Sequence, residues 1–233
     1  MSGYYLGIDA GGTMTKVALF DRSGKQLAVE VSPNVMLIPN PGWTERDADK
    51  MWSATCESIR KMLARPNISA DQILGIAPTG FGGGAFFIDE NGDPTRNAVV
   101  STDSRGLDLI EAWDADGTGS SLRRTLKQLN WGGQTLVLLA WLEANMPNIA
   151  AKTRYVLSCK DFIRYRLCGD ISTDATDASC SGFYDLSKGA VSELAFQYTG
   201  LTAWLEKIPA IGKSAETVGG VSSVAAAETG LRE

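Results

Sequence analysis

The sequence predicts a mixed α/β protein, and three observations support that fold class. An apolar segment, 4–9, ends on Asp9 and is followed by a glycine turn and a second apolar segment. Short runs of β-type residues then alternate with runs whose apolar residues recur at helical spacing. The composition, with 44% hydrophobic and 21% charged residues among 233, is typical of a globular chain of one large or two small domains.

The first elements follow from local pattern. Strands are predicted at 4–9, 15–21 and 26–31, with a hairpin turn at 21–25. After a polar loop at 32–45, Asp47 is expected to cap a helix that runs to Leu63. A buried strand at 73–78 should lead into the glycine-rich stretch 80–84, and a further hairpin is expected around the turn 90–94.

The rest of the chain is predicted to be mostly helical. A strand at 98–103 should end on Asp103, and a short strand is expected at 155–157. The segment 171–185 is polar and turn-rich, which favours a loop. Helices are predicted at 104–116, 119–128, 134–145, 160–168, 192–198 and 222–229.

The turn after the first strand is a candidate phosphate site. Glycine has no Cβ, so backbone N–H groups at Gly11 and Gly12 can approach an anion closely. Hydroxyls and one amine complete the candidate set, which is Gly11, Gly12, Thr13, Thr15 and Lys16. Asp9 is the candidate metal ligand, because a carboxylate can hold Mg²⁺ through its water shell. The alternative is an ordinary glycine hairpin in which Lys16 is a solvated surface residue.

A second group of residues is suited to a polyol. Gly82, Gly83 and Gly84 allow a small ligand close to the backbone, and they follow a strand end. Asp103 can accept hydrogen bonds from two vicinal hydroxyls, and Trp43 can stack on a sugar face. The alternatives are a flexible turn for the glycines and a helix N-cap for Asp103.

Composition excludes several kinds of chemistry. The chain has no histidine, which excludes histidine-based general-base catalysis and disfavours zinc sites. Its four cysteines show no CxxC spacing, so free thiols in a reducing cytoplasm are expected. A net charge of −5 without any basic run argues against nucleic-acid binding, and no segment predicts a signal peptide or a membrane span.

The motifs, taken in order over the whole chain, resemble the amino-terminal half of the FGGY carbohydrate kinases. Residues 7–13 are similar to the family's first phosphate motif, and 41–47 with Trp52 to its Gly-Trp-x-Glu-x-Asp segment. Residues 101–105 resemble its Trp-Asn-Asp-x-Arg segment. Further resemblance is found at Trp141, Leu142, Asn145, 160–163, Gly169 and 173–179.

The resemblance implies a fold and a reaction. It implies an actin-like, ribonuclease-H-like domain with a mainly helical sugar-binding insertion, over residues 1–233. It also implies transfer of the γ-phosphoryl group of ATP, with Mg²⁺, to a sugar or polyol hydroxyl. Leu138 replaces a family lysine, Ser101 and Thr102 replace Trp-Asn, and a glycine replaces the histidine that xylulose kinases place beside the sugar. These departures favour an L-xylulose-like or polyol substrate over D-xylulose.

The same resemblance implies that this chain holds half of the machinery. Family members are about twice as long, and their catalytic aspartate and ATP-binding lobe lie beyond the position of Glu233. We therefore expect no catalytic base within this chain, and no kinase activity from the chain by itself. The alternatives are a half-length protein that binds a sugar or a partner without catalysis, or a hexokinase-like or acetate-kinase-like relative.

A half-length chain should expose the surface that the other lobe covers. The segment 218–231 is the predicted place, since Val221, Val224, Ala225 and Leu231 recur at near-helical spacing. We expect the isolated chain to self-associate, for example as a homodimer, or to leave this segment mobile.

Overall fold

A four-stranded sheet forms the centre of one half of the protein. The computed structural model describes residues 3–233. The strand order is β3-β2-β1-β5, with antiparallel pairing except between β1 and β5. The bounds are β1 (Tyr4–Ala10), β2 (Met14–Asp21), β3 (Gln26–Pro33) and β5 (Ile73–Gly80).

The register of this sheet brings two candidate regions to the same end of the sheet, where β1 and β5 both finish. Ala10, the last residue of β1, lies opposite Gly80, the last residue of the parallel strand β5. The turn at 11–13 and the glycine-rich stretch therefore leave the sheet side by side. On the other side of β1, Asp9 lies opposite Lys16 of β2.

Short strands and nine α-helices make up most of the remaining described residues. The strands pair as β4 (Glu45–Arg46) with β7 (Ala98–Val99), β6 (Phe86–Ile88) with β8 (Tyr155–Leu157), β9 (Ser172–Asp174) with β12 (Ala210–Gly212), and β10 (Tyr184–Asp185) with β11 (Ala190–Val191). The helices are α1 (Ala48–Leu63), α2 (Leu107–Asp116), α3 (Thr118–Leu126), α4 (Thr135–Asn145), α5 (Pro147–Lys152), α6 (Cys159–Cys168), α7 (Ala175–Cys180), α8 (Glu193–Tyr198) and α9 (Ser223–Thr229).

Two apolar cores hold these elements together. In the first, α1, α6 and α9 pack with the sheet, and Trp52, Ile59 and Phe162 are among its buried side chains. The second is mainly helical and includes Leu139 and Trp204. The α/β class is thereby confirmed, as are the first three strands and the helix that Asp47 caps, whose carboxylate accepts a hydrogen bond from the Lys50 N–H at 3.0 Å.

Three predicted elements are wrong in extent or kind. The strand predicted to end on Asp103 stops at Val99, because only its first residues pair with β4. Helix α2 begins at Leu107 with Gly106 as its N-cap, so Asp103 does not cap it. The predicted loop 171–185 contains β9, which pairs with the distant strand β12, the short helix α7, whose N-cap is Asp174, and β10, which pairs with the nearby strand β11.

The terminal segment is also packed better than its composition predicts. Ala225 and Leu231 are buried, and the Trp52 indole N–H donates to the Glu228 carboxylate at 2.7 Å. Of the residues predicted to be bare, Val224 is 66% exposed. None of the helices in the described residues has the length and apolar character needed to cross a bilayer.

The Trp52–Glu228 contact provides a test of this packing. We expect Glu228→Ala to lower the free energy of unfolding by about 1–3 kcal/mol, because it leaves a buried indole N–H without an acceptor. Glu228→Gln keeps an acceptor oxygen and should cost less. Urea unfolding of the two variants measures the difference, and equal stabilities would mean that α9 is held only loosely on α1.

Candidate functional site

The carbonyl oxygens of Ala10, Gly11 and Gly12, at the β1–β2 turn, accept hydrogen bonds from side chains on the inner side of the turn. The Cys159 thiol donates to the carbonyl oxygen of Ala10 at 3.3 Å. The carbonyl oxygen of Gly11 accepts from Asn34 Nδ2 and from Arg46 Nη1, each at 2.9 Å. Arg46 Nη2 donates to the carbonyl oxygen of Gly12. Four donor groups thus fix the orientation of three consecutive peptide planes.

This arrangement determines where the N–H groups of the turn point. In a trans peptide the C=O of one residue and the N–H of the next point in opposite directions. Since the carbonyls of Gly11 and Gly12 face inward, the N–H groups of Gly12 and Thr13 face outward. A Cβ placed on Gly12 would meet no atom within 4 Å, so the space beside Gly12 is open, and Thr13 is exposed. The turn therefore has the geometry of a small anion site.

Asp9 and Lys16 lie beside this turn, as the strand register requires. The Lys16 ammonium is 3.8 Å from the Asp9 carboxylate, and each side chain is about half exposed, 48% and 47% respectively. Among the described residues there is no group of three carboxylate or cysteine side chains arranged to hold a metal ion. The role of Asp9 as a Mg²⁺ ligand stays a prediction, and its water-mediated form requires only one carboxylate.

Thr15 is placed differently from the other residues of the predicted phosphate site. Its side chain is fully buried on the core face of β2, and its hydroxyl donates to Asn34 Oδ1 at 3.1 Å. This placement does not support a contact with a phosphate on the outer side of the turn. Thr15 instead orients Asn34, which binds the turn. Thr13 is exposed, as a ligand-facing residue should be.

The glycine-rich stretch has a packing reason for two of its glycines. Gly83 and Gly84 have φ values of +71° and +72°, and a Cβ on Gly84 would lie 2.5 Å from the carbonyl oxygen of Val99. Gly82 is exposed, and its Cβ position lies 3.2 Å from the Cys180 sulfur. Of the three, Gly82 has the surroundings that leave its backbone open to a ligand.

Asp103 is the centre of a buried ionic network. Its side chain is fully buried, and Oδ1 accepts from the backbone N–H and from Nε of Arg105, both at 2.8 Å. Oδ2 accepts from Arg105 Nη2 at 2.9 Å and from the N–H of Thr44 at 2.6 Å. The sugar contact of Asp103 stays a prediction, and a hydroxyl could make it only by displacing one of these donors.

Glu45 and two tryptophans complete this network. The Glu45 carboxylate binds Arg105 Nη2 at 2.9 Å and also forms an ion pair with Arg96. The Arg105 guanidinium lies 4.2 Å from the ring centre of Trp43 and 4.9 Å from that of Trp141. Because one face of Trp43 is covered by a cation, sugar stacking on this residue would use the other face or an edge.

A second ionic cluster lies around the start of α6. The Lys160 ammonium is within 2.7 Å of Asp161 Oδ1 and of Asp174 Oδ2, and 3.2 Å from Asp177 Oδ2. Burial opposes the charge of Lys160, but the neighbouring Asp161 carboxylate raises its pKa above the usual value. Burial raises the pKa of Asp177. For Asp174, burial acts in the upward direction, but the hydrogen bond from Lys160 lowers its pKa overall.

A small cavity and a much larger groove lie among the described residues. A cavity of about 20 Å³, large enough for one water, lies between Gly83 and Asp177. A groove of about 590 Å³ runs along the open edge of β5 and reaches Leu231 and Glu233 at the end of the chain. The large groove is therefore on the unpaired side of the sheet.

Sequence reasoning missed Asn34, and it placed Arg46 and the Lys160 cluster within motifs without assigning them a role. An arginine followed by aspartates in a polar segment has the composition of a solvated loop, so nothing local indicated that Arg46 is buried. The expected free thiols are confirmed, since all four cysteines are unbridged. Burial raises the pKa of Cys159 to about 12, so its thiol is neutral.

Comparison with known proteins places this chain in a family of sugar kinases. Residues 4–233 match the model of the FGGY family of carbohydrate kinases, N-terminal domain. The L-xylulose/3-keto-L-gulonate kinase of Escherichia coli (strain K12) is 33% identical over 232 residues, which is 100% of this chain and 47% of that protein. A probable L-xylulose kinase of Haemophilus influenzae is 31% identical over 230 residues, 99% of this chain and 47% of that protein.

Solved structures show the same fold. The gluconate kinase from Lactobacillus acidophilus superimposes with a TM-score of 0.92 at 18% identity, covering 100% of this chain and 46% of that chain. The actin-like, ribonuclease-H-like fold is thereby confirmed. The chain spans about half the length of the curated relatives that it matches.

The network around Asp103 leads to a stability prediction. We expect Asp103→Asn to lower the free energy of unfolding by about 3 kcal/mol, because it leaves the buried Arg105 without its nearest counter-charge. Asp114→Asn, which breaks the exposed pair with Arg123, is the matched control and should change stability by about 0.5 kcal/mol or less. Thermal unfolding measures both, and similar effects would show that the network is not structural.

The Lys160 cluster predicts opposite pH dependences for two neighbouring carboxylates. A lowered pKa means that Asp174 contributes stability above its unfolded pKa, and that this stability is lost as the pH falls through the folded value. Asp174→Asn should therefore lower the free energy of unfolding by about 1 kcal/mol at pH 7 and by less in acid.

The raised pKa of Asp177 has the opposite effect on stability. The stability that this carboxyl group contributes is lost as the pH rises through its folded pKa. The stability of Asp177→Asn relative to the unmodified protein should therefore rise towards neutral pH. Unfolding of the Asp174→Asn and Asp177→Asn variants is measured from pH 3.5 to 7, and parallel stability profiles would contradict both predictions.

Proposed function

Because this chain belongs to the FGGY family of carbohydrate kinases, we propose that it is the sugar-binding half of an enzyme that transfers the γ-phosphoryl group of ATP to a hydroxyl of a ketopentose or polyol. The observation that carries the proposal is the outward orientation of the Gly12 and Thr13 N–H groups beside an exposed Asp9 and Lys16. This is the arrangement that a terminal phosphate with its cation requires.

In the proposed complex each residue of the turn has a separate task. The N–H groups of Gly12 and Thr13 bind phosphate oxygens, and the Thr13 hydroxyl adds a further donor. Lys16 contributes positive charge, and Asp9 holds the water shell of Mg²⁺. The sugar lies near Gly82, in reach of Trp43. One similar protein is described as an L-xylulose/3-keto-L-gulonate kinase and another as a probable L-xylulose kinase, which supports an L-xylulose-like substrate for the full protein.

The catalytic base and the adenosine site belong, in this proposal, to the rest of the full-length protein. The groove of about 590 Å³ along the open edge of β5 is where we place its contact with this half. An unpaired strand edge next to an extended groove requires cover, since exposed edges associate with other strands.

A phosphotransfer assay tests the proposal. The full-length protein with ATP, Mg²⁺ and a panel of pentuloses and polyols should release ADP most rapidly with an L-ketopentose or a polyol. The 233-residue chain should release none above background, because the base that deprotonates the acceptor hydroxyl is outside it. Turnover by the 233-residue chain would contradict the assignment of the base.

The variant Gly12→Ala tests the role of the β1–β2 turn in the same assay. Its Cβ would enter the open space beside Gly12 without meeting protein atoms. We expect kcat/KM of the full-length protein to fall by about 100-fold while the unfolding temperature stays unchanged. Unchanged turnover would remove the phosphate from this side of the turn.

A further inference from the structure

Arg46 is a buried cation without a carboxylate partner among residues 3–233. It is 2% exposed, and no acidic side chain in this range forms an ion pair with it. Its two Nη atoms donate to the carbonyl oxygens of Gly11 and Gly12, and its Nε is buried without a hydrogen-bond acceptor. Burial lowers the pKa of its guanidinium.

The other buried arginine near the site differs from Arg46 in its charge balance, although its Nη1 also has no hydrogen-bond acceptor. Arg105 is paired with both Asp103 and Glu45. An isolated buried charge costs several kcal/mol, whereas neutral carbonyls offset only part of that cost. Cys159, which donates to the Ala10 carbonyl of the same turn, is a neutral thiol and cannot supply the counter-charge.

We propose that Arg46 is the positioning residue of the phosphate turn, and that the anion bound on the outer side of the turn supplies its counter-charge. This inference rests on the proposed function. Arg46 acts through the peptide planes, because by holding the carbonyls of Gly11 and Gly12 inward it directs the N–H groups of Gly12 and Thr13 outward. Its charge adds to the same effect, since a positive charge behind the donors strengthens their attraction for an anion.

The proposal predicts a difference between the free and the anion-bound protein that a purely structural arginine would not show. A buried cation without a counter-charge destabilises the free protein, and its pairing with a bound anion stabilises the complex. Neutralising Arg46 should therefore cost little stability in the absence of anion and should remove most of the stabilisation that the anion gives. A structural arginine would lose the same stability in both conditions.

The experiment is an NMR titration of the ¹⁵N-labelled 233-residue chain with inorganic pyrophosphate, followed at the amides of Gly12 and Thr13. We expect saturable shifts for the unmodified chain. In Arg46→Gln the affinity should fall by roughly five- to thirtyfold. Arg46→Lys keeps the charge but cannot bridge two carbonyls, so it should restore part of the affinity. Arg65→Gln, which loses an exposed pair with Glu30, is the matched control and should bind normally.

The outcomes separate the two proposals. If the unmodified chain shows no shifts at Gly12 and Thr13, the phosphate site itself is wrong, and the role of Arg46 is overturned with it. If the unmodified chain binds and Arg46→Gln binds equally well, the phosphate site stands and the inference about Arg46 is wrong. Should Arg46→Gln fail to fold without anion, the counter-charge role is wrong, since that role predicts little loss of stability. Arg46→Lys then tests the positioning role, because native affinity with unaltered Gly12 and Thr13 shifts would overturn it.

Discussion

The arrangement of the whole site depends on two adjacent buried residues of opposite charge, Glu45 and Arg46. Side chains that follow each other in an extended segment point to opposite faces, so this dipeptide reaches in two directions at once. Glu45 joins Arg96 and Arg105 on the side of the sugar candidates. Arg46 holds the turn between β1 and β2 on the side of the phosphate candidates. The relative position of the two regions is thereby fixed by one peptide unit.

The two charges of this dipeptide are balanced very differently. Glu45 has two guanidinium partners, and because one of them, Arg105, also pairs with Asp103, the network holds two positive and two negative charges and is neutral. Within residues 3–233, the partners of Arg46 are carbonyl oxygens and the face of Phe81, at 5.9 Å. A buried network whose charges are paired stabilises one arrangement of its side chains, whereas an unmatched buried charge marks a candidate functional site. The charge-balanced region and the proposed phosphate region therefore meet at the bond between these two residues.

The sequence predicts those parts of the fold that local signals determine. β1, β2 and α1 were predictable because alternation, helical spacing and an aspartate cap are properties of short segments. β9 and β12 were not, because each is three residues long and exists only through pairing with the other across the chain. The terminal segment was predicted to be bare for the same reason, since the partner of Glu228 is Trp52, which is remote in sequence.

Glycines show most clearly why part of the site could not be predicted from the sequence. The sequence gives no way to tell a glycine required by packing from one that makes room for a ligand. At Gly84 an added Cβ would lie 2.5 Å from a backbone oxygen, and the positive φ adds strain, so the neighbouring chain requires glycine there. At Gly12 an added Cβ would meet nothing, and φ is not positive, so nothing within residues 3–233 requires glycine. A glycine that these residues do not require, beside N–H donors that a buried cation directs outward, is consistent with the phosphate site that we propose.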